Sequence, residues 1–122
     1  MILVYIAGPY STDPVGNTRR ALDVAHTFRC RGIAPIVPHL SLLTDLVYPM
    51  DYEQYLVEDL EIVRRCDAVY RLTGPSVGAD REVAHAMQHE IPIWFEDTPK
   101  TVGLTATEAT EWAAQAIAET LS

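Results

Sequence analysis

The segment Gly74-Pro75-Ser76-Val77-Gly78-Ala79-Asp80-Arg81-Glu82 follows an apolar run and carries the residue types of a ligand cradle. A strand that runs into a Ser-x-Gly turn opening a helix points backbone N–H groups outward. The helix dipole there adds attraction for an anion. Glu82 falls on the first turns of that helix. A carboxylate beside an anion cradle is costly, so the segment suggests a small phosphorylated or hydroxyl-rich ligand held next to a carboxylate that does chemistry. The competing reading is a surface glutamate stabilised by the dipole. Asp59 lies midway along the preceding helix, four residues after Tyr55, on a face apart from the Leu56/Leu60/Val63 stripe. Its rival reading is a solvated helix face. Tyr5 stands near the end of the first strand, where the rival is core packing with a bonded hydroxyl.

The elements that must position these groups follow from periodicity and punctuation. Residues 1–7 are nearly all apolar and β-prone, as in a central parallel strand buried on both faces. Residues 8–14 are punctuated like a loop. A helix is predicted over 17–31, with Asn17 as a candidate N-cap, Ala21, Val24, Ala25 and Phe28 at helical spacing, and Gly32 as the stop. A strand follows at 33–37, then a loop over 38–49 with an apolar insert of Leu40, Leu42 and Leu43. The next helix spans 51–65 behind an Asp51 N-cap. Then come a strand at 67–72, a helix at 77–89, a strand at 92–95, a polar loop at 96–103 and an amphipathic helix at 105–121. That last helix opens on a Thr105/Glu108 capping box.

This alternation predicts one α/β domain over residues 1–122, a flavodoxin-like three-layer fold with a parallel sheet of order 2-1-3-4. Ligands of such a sheet bind at the carboxyl ends of the strands, at the switch between strands 1 and 3. The loops 8–16 and 73–78 meet there, so the Ser-x-Gly turn falls where the fold wants a ligand.

The chain has 122 residues, a hydrophobic fraction of 48% and a formal net charge of −8. That field repels polyanions, so a nucleic-acid polymer is an unfavourable partner, whereas a local cradle can still hold a small nucleotide. Glu90, Glu96, Asp97, Glu108, Glu111 and Glu119 read as solvated surface. No apolar run is long enough for a membrane span, and no signal peptide is recognisable. Cys30 and Cys66 form no Cys-x-x-Cys and read as buried free thiols of a cytoplasmic protein.

Taken together, three stretches resemble the nucleoside 2-deoxyribosyltransferase-like superfamily, which includes the deoxynucleoside 5′-monophosphate N-glycosidases. They are residues 4–9 (Val-Tyr-Ile-Ala-Gly-Pro), residues 58–69, and Ser76-Val77-Gly78-Ala79-Asp80-Arg81-Glu82. The resemblance covers most of residues 2–95. It implies that Glu82 attacks the anomeric carbon, Asp59 assists proton transfer at the base, and Tyr5 holds Glu82. Ser76 and Gly78 then bind a 5′-phosphate. No metal or organic cofactor is implied, and sites completed across a homodimer or higher homo-oligomer are expected.

The candidate binding set is Gly8, Pro9, Tyr10, Ser11, Arg19, His39, Ser76, Gly78 and Ala79. Tyr10 is placed to stack on a base, and His39 to touch base or sugar. Pro9-Tyr10-Ser11 stands where the glycosidase branch has a Ser-x-Arg turn, which makes Arg19 or Arg20 the candidate replacement cation. The resemblance implies a C-terminal arm for the transferase branch, whereas an ordinary helix is expected here at 105–121. The reading is cleavage or transfer at the N-glycosidic bond of a nucleoside or its 5′-monophosphate. The alternatives are a non-catalytic nucleotide-binding or sensor module and a structural domain of a larger assembly.

Overall fold

The computed structural model describes residues 1–96 and the backbone of 101–102. Strands β1 (Leu3–Ala7), β2 (Ala34–Ile36), β3 (Ala68–Arg71) and β4 (Ile93–Phe95) form a parallel sheet in the order β2-β1-β3-β4. That is the expected flavodoxin-like order. A two-residue strand, β5 (Thr101–Val102), adds an antiparallel edge to β4 inside the expected polar loop 96–103. The helix expected at 105–121 lies outside the described residues.

Side chains of β1 alternate between two cores, as the two-residue period of a strand requires. Tyr5 and Ala7 join Val63, Ala79 and Ala86 on one face, beneath α3 (Tyr52–Arg65) and α4 (Val77–Gln88). Ile6 joins Ala21, Ala25 and Leu72 on the other, beneath α1 (Pro14–Cys30). Phe28 meets Tyr70 edge-on there, with ring centroids 5.1 Å apart. A core on each face of β1 explains why its sequence is apolar without alternation.

Three local expectations are corrected. Helix α1 begins at Pro14, not Asn17, because Asp13 supplies the cap and Pro14 occupies the first turn, where a missing N–H costs nothing. Asn17 instead donates to the Tyr10 carbonyl (3.2 Å) and to Thr12 Oγ1 (3.1 Å), fastening the loop before α1. Residues 38–49 are largely helical, with a 3-10 turn at Pro38–Leu40 followed by α2 (Ser41–Val47). Cys66 is buried as expected, but Cys30 is exposed at the end of α1.

Candidate active site

Loops at the carboxyl ends of β1, β2 and β3 surround a cavity of about 630 Å³ together with α2, α3 and the start of α4. Its volume lies in the range of small-molecule sites. Glu82, one turn into α4, lines it while being only 6% exposed. The Tyr5 hydroxyl, wholly buried under it, donates to Glu82 Oε2. Asp59 on α3 lines the same cavity. Tyr5, Asp59 and Glu82 are thus brought together from a strand and two helices that sequence separates widely.

Burial sets the electrostatics of this group. Desolvation raises the Glu82 carboxyl to about 8, with Asp59 pushing the same way, while the Tyr5 hydrogen bond and the Arg71 charge oppose the rise. Desolvation likewise raises Asp59 to about 7, with Glu58 adding to it. Tyr5 is raised well above its ordinary value by burial and by Glu82, and stays a neutral donor. Two carboxyl groups poised near neutral pH in one cavity suit acid–base and nucleophilic work.

Ser76 is the N-cap of α4, and its Oγ accepts from the Ala79 amide at 3.1 Å. The Ala79 amide, a candidate ligand donor, is therefore engaged. The amides of Val77 and Gly78 have no helical acceptor behind them and open onto the cavity end of the helix. Gly78 sits in close approach: a Cβ there would come within 2.9 Å of the Tyr52 hydroxyl, the far end of an exposed side chain. Arg71 fixes this loop from below. It donates to the Leu72 carbonyl, the Gly74 carbonyl (2.9 Å) and Asp80 Oδ1 (3.0 Å).

Of the other expected binding residues, Gly8, Tyr10, Ser11 and His39 line the cavity. His39 is 3% exposed and its Nε2 lies 3.1 Å from the Pro9 carbonyl, which can only accept, so Nε2 carries the proton. Burial lowers its pKa and keeps it neutral. Pro9 contributes that carbonyl from a buried position outside the lining. Arg19 is exposed on α1 and is not among the described lining residues. Arg20 is committed elsewhere: it donates to the Thr73 carbonyl (2.7 Å) and pairs with Glu96, which accepts from the Thr73 amide (3.0 Å). Neither arginine replaces the cation expected near the first loop, and Glu96 is a clamp, not free surface.

Sequence reasoning missed one wall altogether. Asp45, Met50 and Ser41 line the cavity from α2 and the segment after it, and Tyr52 and Tyr55 do so from α3. The apolar spacing Leu42, Leu43, Leu46, Val47 is helical, and it was the available signal for α2. No group of three metal-ligating side chains occurs among the described residues.

Solved structures of similar fold include two 2-deoxyribosyltransferases. One is from the psychrotolerant bacterium Bacillus psychrosaccharolyticus (TM-score 0.62, 16% identity, covering 76% of this chain and 70% of that one). The other is from Leishmania mexicana (TM-score 0.61, 19% identity, covering 78% of this chain and 63% of that one). No curated protein matches the chain in sequence. A family model does match it over residues 2–96, a span that holds every wall of the cavity described above, and the chain belongs to that family, the domain of unknown function DUF7768.

Proposed function

We propose that the chain cleaves or transfers the N-glycosidic bond of a nucleoside or a (deoxy)nucleoside 5′-monophosphate, with Glu82 as nucleophile. One observation carries this: a nearly buried carboxylate on a cavity floor, held by a buried tyrosine and accompanied by a second carboxyl group. Tyr5 occupies Oε2, which leaves the other oxygen to meet the anomeric carbon. The C1′–N bond breaks through an oxocarbenium-like state and its electron pair leaves with the base. Asp59, whose proton is retained to about pH 7, supplies the proton that neutralises the departing base. Glu82 is left esterified to the sugar. Water then releases the sugar, or a second base takes it. The fold shared with 2-deoxyribosyltransferases supports the reading.

A 5′-phosphate is assigned to the Val77 and Gly78 amides and the Ser76 hydroxyl, where dipole and hydrogen bonds act together. A homo-oligomer belongs to the same proposal. Its support is the apolar side chains that α2 and its flanks expose, among them Leu43, Leu46, Val47 and Tyr48.

The test is a panel of nucleosides, each beside its 5′-monophosphate, with free base read by chromatography in the presence and absence of an acceptor base. Base release is expected, faster from the monophosphates. Faster release from nucleosides would assign the start of α4 to a sugar hydroxyl. Binding without release across the panel would make the domain a nucleotide-binding module.

A further inference from the structure

Asp45 is the third carboxylate of the cavity, and the proposed chemistry leaves it without work. It lies on α2, half-buried, on a different wall from the start of α4. Its Oδ1 accepts from the Tyr55 hydroxyl (3.2 Å) and from the Met50 amide (3.2 Å). Those two bonds hold the carboxylate in one orientation and use both lone pairs of Oδ1. No lysine or arginine forms an ion pair with Asp45 among the described residues. Its field reaches the ring of Tyr10, raising that phenol along with burial. Tyr10, Tyr55 and Met50 line the cavity with it, so a fixed acceptor stands among flat and polarizable side chains.

Such a wall suits a flat heteroaromatic ring that brings a hydrogen-bond donor on its edge. Tyr55 and Asp59 are four residues apart on one face of α3, and both line the cavity with Asp45. A base whose departure Asp59 assists would therefore present its far edge to the Tyr55–Asp45 pair.

We propose that Asp45 is a specificity-determining residue: its free oxygen accepts a hydrogen bond from an exocyclic amine, so that amino-substituted bases are selected over shape-matched bases lacking that donor. This rests on the nucleoside reading given above. A carboxylate is a selective element because it can only accept: a base without the donor leaves the charge desolvated and unpaired.

The experiment compares two substrates that differ only at one position, the 2′-deoxynucleoside 5′-monophosphates of adenine and of unsubstituted purine. Each is measured on the wild-type chain, on Asp45→Asn and on Tyr55→Phe. The readout is the adenine-to-purine ratio of kcat/KM, and comparing that ratio across variants cancels the different leaving tendencies of the two bases. Asn is isosteric, can still accept from Tyr55 and Met50, and places an amide donor where the second oxygen was. The ratio should fall about tenfold or more in Asp45→Asn and by a smaller factor in Tyr55→Phe. An unchanged ratio in Asp45→Asn overturns the assignment while leaving the nucleoside reading intact. Should that variant not fold, an unchanged ratio in Tyr55→Phe overturns it equally. If the wild-type chain releases base from neither substrate, the assignment falls, and the nucleoside reading falls with it only where the whole panel above is inert.

Discussion

On the cavity floor, Glu82 is 6% exposed, bonded to Tyr5 and raised to about 8. On the α2 wall, Asp45 is half-buried and, among the described residues, bonded to a neighbouring hydroxyl and amide, and the apolar side chains around it, Leu43 and Leu46, are 64% and 74% exposed. The floor holds its charged group at the expense of stability. Burial disfavours the ionised form, and only the Tyr5 hydrogen bond and Arg71 offset it. The wall leaves its carboxylate wet and costs the fold little. Groups that must change protonation during a reaction belong in the first environment. Groups that only sort ligands do well in the second.

Glu82→Gln should break the floor most severely. Base release is expected to fall by about 10³-fold or more, since a nucleophile is lost, while the amide still accepts from Tyr5. The same variant has a stability signature. A carboxyl whose pKa rises on folding contributes stability that is fully present below its unfolded value and is lost as pH rises through its folded value. Between its ordinary value of 4.5 and about 8, wild-type stability should therefore drop by about 1.4 kcal/mol per pH unit through this group. Between pH 5 and pH 8 denaturant titrations should show a fall in the wild type that is about 3 kcal/mol larger than in Glu82→Gln, in which Asp59 still contributes its own loss. Equal falls in both proteins would contradict the burial account, and wild-type turnover in the variant would contradict the role.

Asp59→Asn sharpens the comparison within the floor. The reactive state needs Glu82 ionised and Asp59 protonated, although Asp59 loses its proton first. The wild-type rate should peak between pH 7 and 8, with limbs near both values that belong to the pair. Removing Asp59 should lower the maximum about 10–100-fold and abolish the basic limb. The single remaining limb should lie just below 8, because the charge that raised Glu82 has gone. An unchanged profile would return Asp59 to the role of a solvated helix residue.

Gly78→Ala tests the rim and should do the least. The added methyl meets the Tyr52 hydroxyl at 2.9 Å, but Tyr52 is 54% exposed and can swing away. A rise in KM of about tenfold with kcat nearly kept is expected, as for a change in binding alone. A large fall in kcat with KM unchanged would mean that the start of α4 takes part in the chemistry.

The elements that carry Tyr5, Asp59 and Glu82 were legible from apolar runs and helical spacing, and the grouping of the three from the resemblance of their segments to a known superfamily. Segment α2 was not. It is short, has no capping side chain, and lies between Pro38 and Pro49, so its helical spacing spans barely two turns. Asp45 and Met50 went unseen with it. Arg71 was invisible for another reason: its partners include carbonyls of the following loop, and backbone acceptors leave no mark in sequence. Arg20 pairs with Glu96 from a distant part of the chain, so the clamp emerges only once the fold brings α1 beside the end of β4.

Strand β2 forms one edge of the sheet and carries Pro35 at its centre, opposite Val4 of β1. The Ala34 amide donates inward to Ile2, so the position where residue 35 would offer an N–H faces outward, and proline has none to offer. Another molecule docking along this edge as an extra strand would find a missing donor at the middle of a three-residue ladder. Open-ended stacking of chains along β2 is thereby disfavoured.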